Sequence, residues 1–102
     1  MLELDNVTAE TFAPYVRQSF RIEYGGTEPL LAELAELNVA DERLRRKNER
    51  LPFSLIFRGG YGRYLPQRLY RVAHEALGEL DIFLVPLGPD SDGVMRYEAV
   101  FG

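Results

Sequence analysis

Along most of this chain the apolar positions recur with a period of two, the spacing of a strand with one buried face. The clearest case is Val94 to Phe101, where Met95, Tyr97, Ala99 and Phe101 alternate with Arg96, Glu98 and Val100. Just upstream, Leu80-Asp81-Ile82-Phe83-Leu84-Val85-Pro86-Leu87 is the most apolar run in the chain, and it predicts a strand that crosses the core. Pro89-Asp90-Ser91-Asp92-Gly93 separates the two with residues suited to a turn, so the stretch from Gly78 to Phe101 reads as a hairpin.

Three further segments carry the same signal. Phe20-Arg21-Ile22-Glu23-Tyr24 alternates and is closed by Gly25-Gly26. Phe53-Ser54-Leu55-Ile56-Phe57 follows Pro52 and is expected to end at Gly59-Gly60 and Gly62, which permit the positive φ that turns require. Gln67 to Ala73 sets Leu69 and Tyr70 on opposite faces before Leu77-Gly78 interrupts it.

Helical signals are few. Thr8 is placed to cap a short helix, with Val7 and Phe12 at the spacing of a hydrophobic staple, and Pro14 limits it to one or two turns over Ala9–Val16. Leu30 to Leu37 is ambiguous. Its Leu, Ala and Glu favour a helix with Leu30, Leu34 and Leu37 on one face, whereas its place between two strand-like runs favours a strand. Asp41 to Arg50 is polar enough to be a solvated loop or an exposed helical turn. Together these elements predict a mainly β fold, α+β at the margin: a small curled antiparallel sheet or barrel of five to six strands with one short N-terminal helix.

Composition supports one folded unit. The chain has 102 residues, 46% of them hydrophobic and 27% charged, which fits a single domain spanning residues 1–102 with one core. The absence of cysteine excludes disulfides, thiol catalysis and thiolate metal sites. Met1-Leu2-Glu3-Leu4-Asp5 lacks a cationic segment followed by an apolar run, and no stretch is apolar for the ~18 residues a membrane span needs. A cytoplasmic protein with no membrane contact is the expectation.

The net charge of −4 hides a segregation along the chain. Residues 1–42 carry nine acids and two bases, 43–75 two acids and nine bases, and 76–102 five acids and one base. Eleven of the twelve bases are arginine, whose planar fork pairs with carboxylates and stacks on rings. Arg43, Arg45, Arg46, Lys47, Arg50, Arg58, Tyr61 and Arg63 are therefore the candidate binding residues, and the expected partner is another protein, or another copy of this chain, with an acidic surface. A plain solvated loop explains the cluster from Arg43 to Arg50 equally simply.

Candidate catalysis is thin. His74 is the only histidine, and Glu75 beside it points to the opposite face of a strand, so no carboxylate orients the ring. A structural histidine bonded to a turn is the simpler reading than a base working with Tyr70 or Glu98. The threonines and serines lack a partnering base, and no nucleophilic triad is proposed. Asp90, Asp92 and Gly93 resemble the start of a calcium loop but lack its third acidic position and closing glutamate, which leaves a turn in which Asp side chains bond nearby backbone. Phe57 to Tyr64 interleaves arginine, glycine and aromatics in a manner suited to stacking on single-stranded nucleic acid, but the acidic thirds of the chain oppose phosphate binding. Gly59-x-x-Gly62 lacks the Gly-Lys-Ser/Thr ending of a phosphate loop. No cofactor, no metal and no enzymatic activity are expected.

The run Leu65-Pro66-Gln67-Arg68-Leu69-Tyr70-Arg71-Val72-Ala73-His74-Glu75-Ala76-Leu77-Gly78, with Phe83-Leu84-Val85-Pro86 and Met95-Arg96-Tyr97-Glu98-Ala99-Val100-Phe101, resembles an uncharacterised small bacterial domain family, a domain of unknown function. Thr11-Phe12 and Phe53 to Gly59 fit it too. The resemblance implies a strand at Leu30 to Leu37 and transfers nothing catalytic. It also implies, from members often encoded near phage-tail-collar-like proteins, a non-enzymatic accessory role in assembling or decorating a tail-like or surface fibre. The alternative is a small β-barrel that binds an apolar ligand among Phe20, Tyr24, Phe53, Phe57, Tyr70, Phe83, Tyr97 and Phe101, although a barrel of ~100 residues usually fills its interior with such side chains.

Overall fold

The structure is a computed structural model that describes residues 6–44, 50–61 and 65–102. Six strands, β1 (Ser19–Glu23), β2 (Leu30–Val39), β3 (Phe53–Tyr61), β4 (Arg68–His74), β5 (Gly78–Pro89) and β6 (Val94–Phe101), follow one short helix, α1 (Ala9–Phe12). The strands close into an antiparallel barrel in the order β1-β2-β3-β6-β5-β4, with β4 pairing back to β1. Each of the six described strands thus has a strand neighbour on both sides.

Inward-facing side chains fill the barrel. Phe20 and Ile22 of β1, Leu34 of β2, Phe57 of β3, Leu84 of β5 and Tyr97 of β6 are all buried in one cluster, and the rings of Phe20 and Phe57 meet edge-on at 5.3 Å. Helix α1 closes one end. Thr8 N–H donates to Thr11 Oγ1 at 3.0 Å, fixing the first turn, while Val7 and Phe12 both enter the core. Phe12 lies 6.0 and 5.7 Å from Phe53 and Phe101, which stack on each other at 4.6 Å. After Phe12 the chain tightens into a 3₁₀ turn at Ala13–Tyr15, with Pro14 in its first positions. Val16 is already extended, so the helical stretch stops one residue before the expected Val16.

The ambiguity at Leu30 to Leu37 resolves to the strand that the resemblance implies, as part of β2. Its helix-like spacing arises from a bulge: the pairing with β3 shifts between Leu34 and Glu36, so Leu37 rejoins Leu30 and Leu34 on the core side. Gly59 and Gly60, expected to end β3, lie inside it, because the strand runs on to Tyr61. A Cβ at Gly59 would stand 2.6 Å from the Leu31 carbonyl oxygen and 2.9 Å from Ala32 Cα, so this glycine serves the close approach of β2 rather than a turn. Gly60, at φ +85°, takes up the shift in pairing between Arg58 and Tyr61. The apolar run in β5 contributes one face to the core, as expected of a strand crossing it. Leu80, Ile82 and Leu84 face inward, while Phe83 and Leu87 are exposed.

The turn from Asp90 to Gly93 forms as the composition indicates. Asp90 Oδ1 accepts from the backbone N–H of Asp92 at 2.8 Å and of Val94 at 3.1 Å, and Gly93 adopts φ +82°.

Candidate docking surface

Of the candidate binding residues, Arg45, Arg46, Lys47 and Arg63 lie outside the described residues. The other arginines are engaged within the chain. Arg43, in the 3₁₀ turn Glu42–Leu44, clasps Asp41 through Nε and Nη2, the latter at 2.6 Å, and its guanidinium holds the Asp41 carboxyl below its ordinary pKa. Arg50 donates from Nη1 to the Val7 carbonyl at 2.7 Å and from Nε to the Gly102 carbonyl at 3.1 Å. Its guanidinium also stands over the Phe53 and Phe101 rings at 5.9 and 5.7 Å, so it straps the segment before α1 to the end of the barrel.

Arg58, outward on β3, reaches the tip of the β5–β6 hairpin. Its Nε donates to Asp90 Oδ2 and its Nη2 to Asp92 Oδ2 at 3.3 Å. The Arg58 hydrogen bond is the main cause of the lowered Asp90 pKa, helped by the Val94 and Asp92 N–H groups. Tyr61 is different: it is 74% exposed and borders a cleft of about 130 Å³ at the barrel end opposite α1, with Tyr24, Leu30, Gly60, Leu65 and Tyr97. Tyr97 Oη accepts from the Leu65 N–H at 2.9 Å there.

His74 is buried at 4% exposure, between the rings of Tyr15 and Phe20, each 4.6 Å away. Its Nδ1 accepts from the Ala76 N–H at 3.0 Å, which makes Nε2 the protonated nitrogen that donates to Gln18 Oε1 at 2.8 Å. Burial lowers its pKa below the ordinary value. With both nitrogens engaged, the ring presents no free lone pair for proton abstraction and joins β4 to the segment entering β1.

The outer wall carries a feature that residue type alone did not single out. Leu69 of β4 pairs directly with Phe83 of β5, and the two are 56% and 49% exposed. On β6, Val100 is 70% exposed. Val85 pairs with Glu98, so Phe83 and Val100 stand two residues further along the same face of their strands. An apolar row thus runs across three neighbouring strands on the solvent side. It continues into an open groove of about 330 Å³ bordered by Val39, Ala40, Pro52, Ser54, Glu98 and Val100. Arg68, next to Leu69 in β4 but on the opposite strand face, lays its guanidinium 4.8 Å over the Tyr70 ring. A signal for this row exists in the chain: Val100 is the apolar residue out of phase with Met95, Tyr97, Ala99 and Phe101, and Phe83 is out of phase with Leu80, Ile82 and Leu84.

Chemistry of other kinds has little to build on. Among the described residues, no group of three or more His, Asp or Glu side chains is arranged to hold a metal ion, and no helix is long and apolar enough to cross a membrane. The aromatics expected to line a ligand chamber, Phe20, Phe53, Phe57, Tyr70, Tyr97 and Phe101, pack together in the core cluster, whereas Phe83 stands outside.

Comparison with known families finds a match over residues 7–101 to a family described as Domain of unknown function (DUF6916). No curated protein and no solved structure matches the chain.

Proposed function

We propose, from the premise that the chain belongs to the DUF6916 family of domains of unknown function, that it is a non-enzymatic docking module that binds another protein through the outer wall of its barrel. The observation that carries this reading is the apolar row Leu69, Phe83 and Val100 on the solvent side of β4, β5 and β6. A filled interior explains the inward aromatics; nothing in the fold requires three large apolar side chains outside. An interface with an apolar centre and a charged rim does. The expected partner has an acidic surface, because residues 43–75 carry nine of the chain's twelve bases. The resemblance to bacterial proteins encoded near tail-collar-like proteins gives the reading its specific form, an accessory to assembly of a tail-like or surface fibre.

The test is affinity capture with the tagged chain from its source cells at low and high salt, with retained proteins identified by mass spectrometry. The same capture with Phe83→Glu is the control. The expected result is a defined partner held by the wild type, released as salt screens the charged rim, and absent from Phe83→Glu at unchanged melting temperature. Retention of the same proteins by both forms contradicts the wall as the docking face, and a chain that retains none under any salt contradicts the module.

A further inference from the structure

Tyr97 holds a buried hydrogen-bond donor that the fold does not use. The residue is 1% exposed on β6, and its Oη accepts from the Leu65 N–H at 2.9 Å. Among the described residues its own O–H donates to nothing. Tyr70, equally buried on β4, is the contrast: its Oη donates to the Pro66 carbonyl. A buried hydroxyl that accepts without donating gives up a bond it had in water, and native interiors rarely leave such a donor unmatched.

Tyr97 and Leu65, the two ends of that bond, both border the cleft of about 130 Å³ at the barrel end opposite α1. Tyr24 and Tyr61 supply further walls. The Tyr24 ring lies against Gly26, 3.0 Å from the position a Cβ would take there. Tyr61, the last residue of β3, is 74% exposed and belongs neither to the core nor to the side chains packed on it. Pockets for whole small-molecule ligands start at ~300 Å³, so this cleft is on the scale of one ring or side chain. It offers a hydroxyl donor among aromatic and aliphatic walls, and the matching group carries an acceptor and no donor. Proline fits: its ring is apolar, it has no backbone N–H, and in the polyproline II conformation the carbonyls make no internal hydrogen bonds. A quaternary ammonium, another group that tyrosine rings receive, brings no acceptor for the hydroxyl.

We infer that the cleft between Tyr24, Tyr61 and Tyr97 receives a proline ring from an extended, proline-containing segment of another protein, with a carbonyl of that segment accepting from Tyr97 Oη. Grooves lined by aromatic rings take polyproline II segments because these arrive already ordered and with free carbonyls. None of Leu69, Phe83 and Val100 borders the cleft, so this site and the outer wall are independent readings.

The experiment is an NMR titration of the full chain, following the Leu65 amide and the Tyr97 ring signals. The probes are a capped peptide of prolines flanked by alanines and a capped polyalanine peptide of the same length. The expected result is a saturable shift of both signals with the proline peptide, and affinity lower by about tenfold or more for the alanine peptide. Tyr61→Ala removes an exposed wall and no core contact, and should cost about tenfold at unchanged melting temperature. Tyr97→Phe should cost about as much by removing the donor; where loss of the Leu65 acceptor disturbs the fold, Tyr61→Ala carries the test. Equal affinity for the two peptides, shifts that saturate with neither, or unchanged affinity in Tyr61→Ala would overturn the assignment. Phe83→Glu should bind the proline peptide as the wild type does. Loss of binding in that variant would place the peptide on the outer wall and overturn the cleft site, so the two readings fail separately.

Discussion

His74 shows what a single buried polar residue does in this barrel. Its ring lies between Tyr15 and Phe20 and is bonded at both nitrogens, so the neutral form fits and the cation does not. Burial is the main cause of the lowered pKa; Glu75 partly opposes it, and Arg21 adds to it. A folded-state pKa below the unfolded value of 6.5 means that the unfolded chain takes up its proton first as pH falls. The contribution is therefore complete above 6.5 and is lost progressively below it, down to the folded-state pKa. Asp90 and Asp41 act in a separate, more acidic window, since their pKa values lie below 3.8 and their contributions fade only as pH drops under it. Urea unfolding midpoints are expected to fall between about pH 7.5 and about pH 5 in the wild type. In His74→Gln they should change much less over that interval, and an equal slope in the two forms would show that the ring does not carry this dependence.

Among the elements, β2 and β3 explain what was legible in the chain and what was not. The alternation of Met95, Tyr97, Ala99 and Phe101 gives β6 directly, because a regular half-buried strand writes its period into the sequence. Leu30, Leu34 and Leu37 gave an ambiguous signal because the bulge at Ala35 converts strand parity into helical spacing. Gly59 and Gly60 were read as a stop because glycine usually permits turns, whereas Gly59 is required by the approach of Leu31 and Ala32 from the neighbouring strand. Such a contact is long-range and leaves no local trace. The pairing of Arg58 with Asp90, residues 32 apart in sequence, is invisible for the same reason, which is why Arg58 looked available for a partner. Gly59→Ala separates the two glycine roles. Replacing a strand glycine by alanine ordinarily gains roughly 0.5–1 kcal/mol, but a Cβ 2.6 Å from a backbone oxygen forces β2 and β3 apart, at a cost of about 1–3 kcal/mol. The net expectation is a loss of stability, read from the urea midpoint; a gain would mean that the strands at Gly59 have room.

At the scale of the whole molecule, closure and filling direct the proposed docking to the outer wall. Each described strand of the barrel has a neighbour on both sides, its lumen is occupied by its own aromatics, and three of the arginines that composition marked as a docking cluster, Arg43, Arg50 and Arg58, bind acceptors in their own chain. What the wall offers is the exposed row Leu69, Phe83 and Val100. Charge segregation along the chain counts arginines by number and does not register which of their charges are already met within the chain. Hydrogen exchange of the chain alone and bound to its captured partner is the most direct measurement of this claim. The expected result is new protection concentrated in β4, β5 and β6, around Leu69, Phe83 and Val100. Protection confined to the Tyr24, Tyr61 and Tyr97 cleft, or to Asp41 and Arg43, with β5 unchanged, would contradict it.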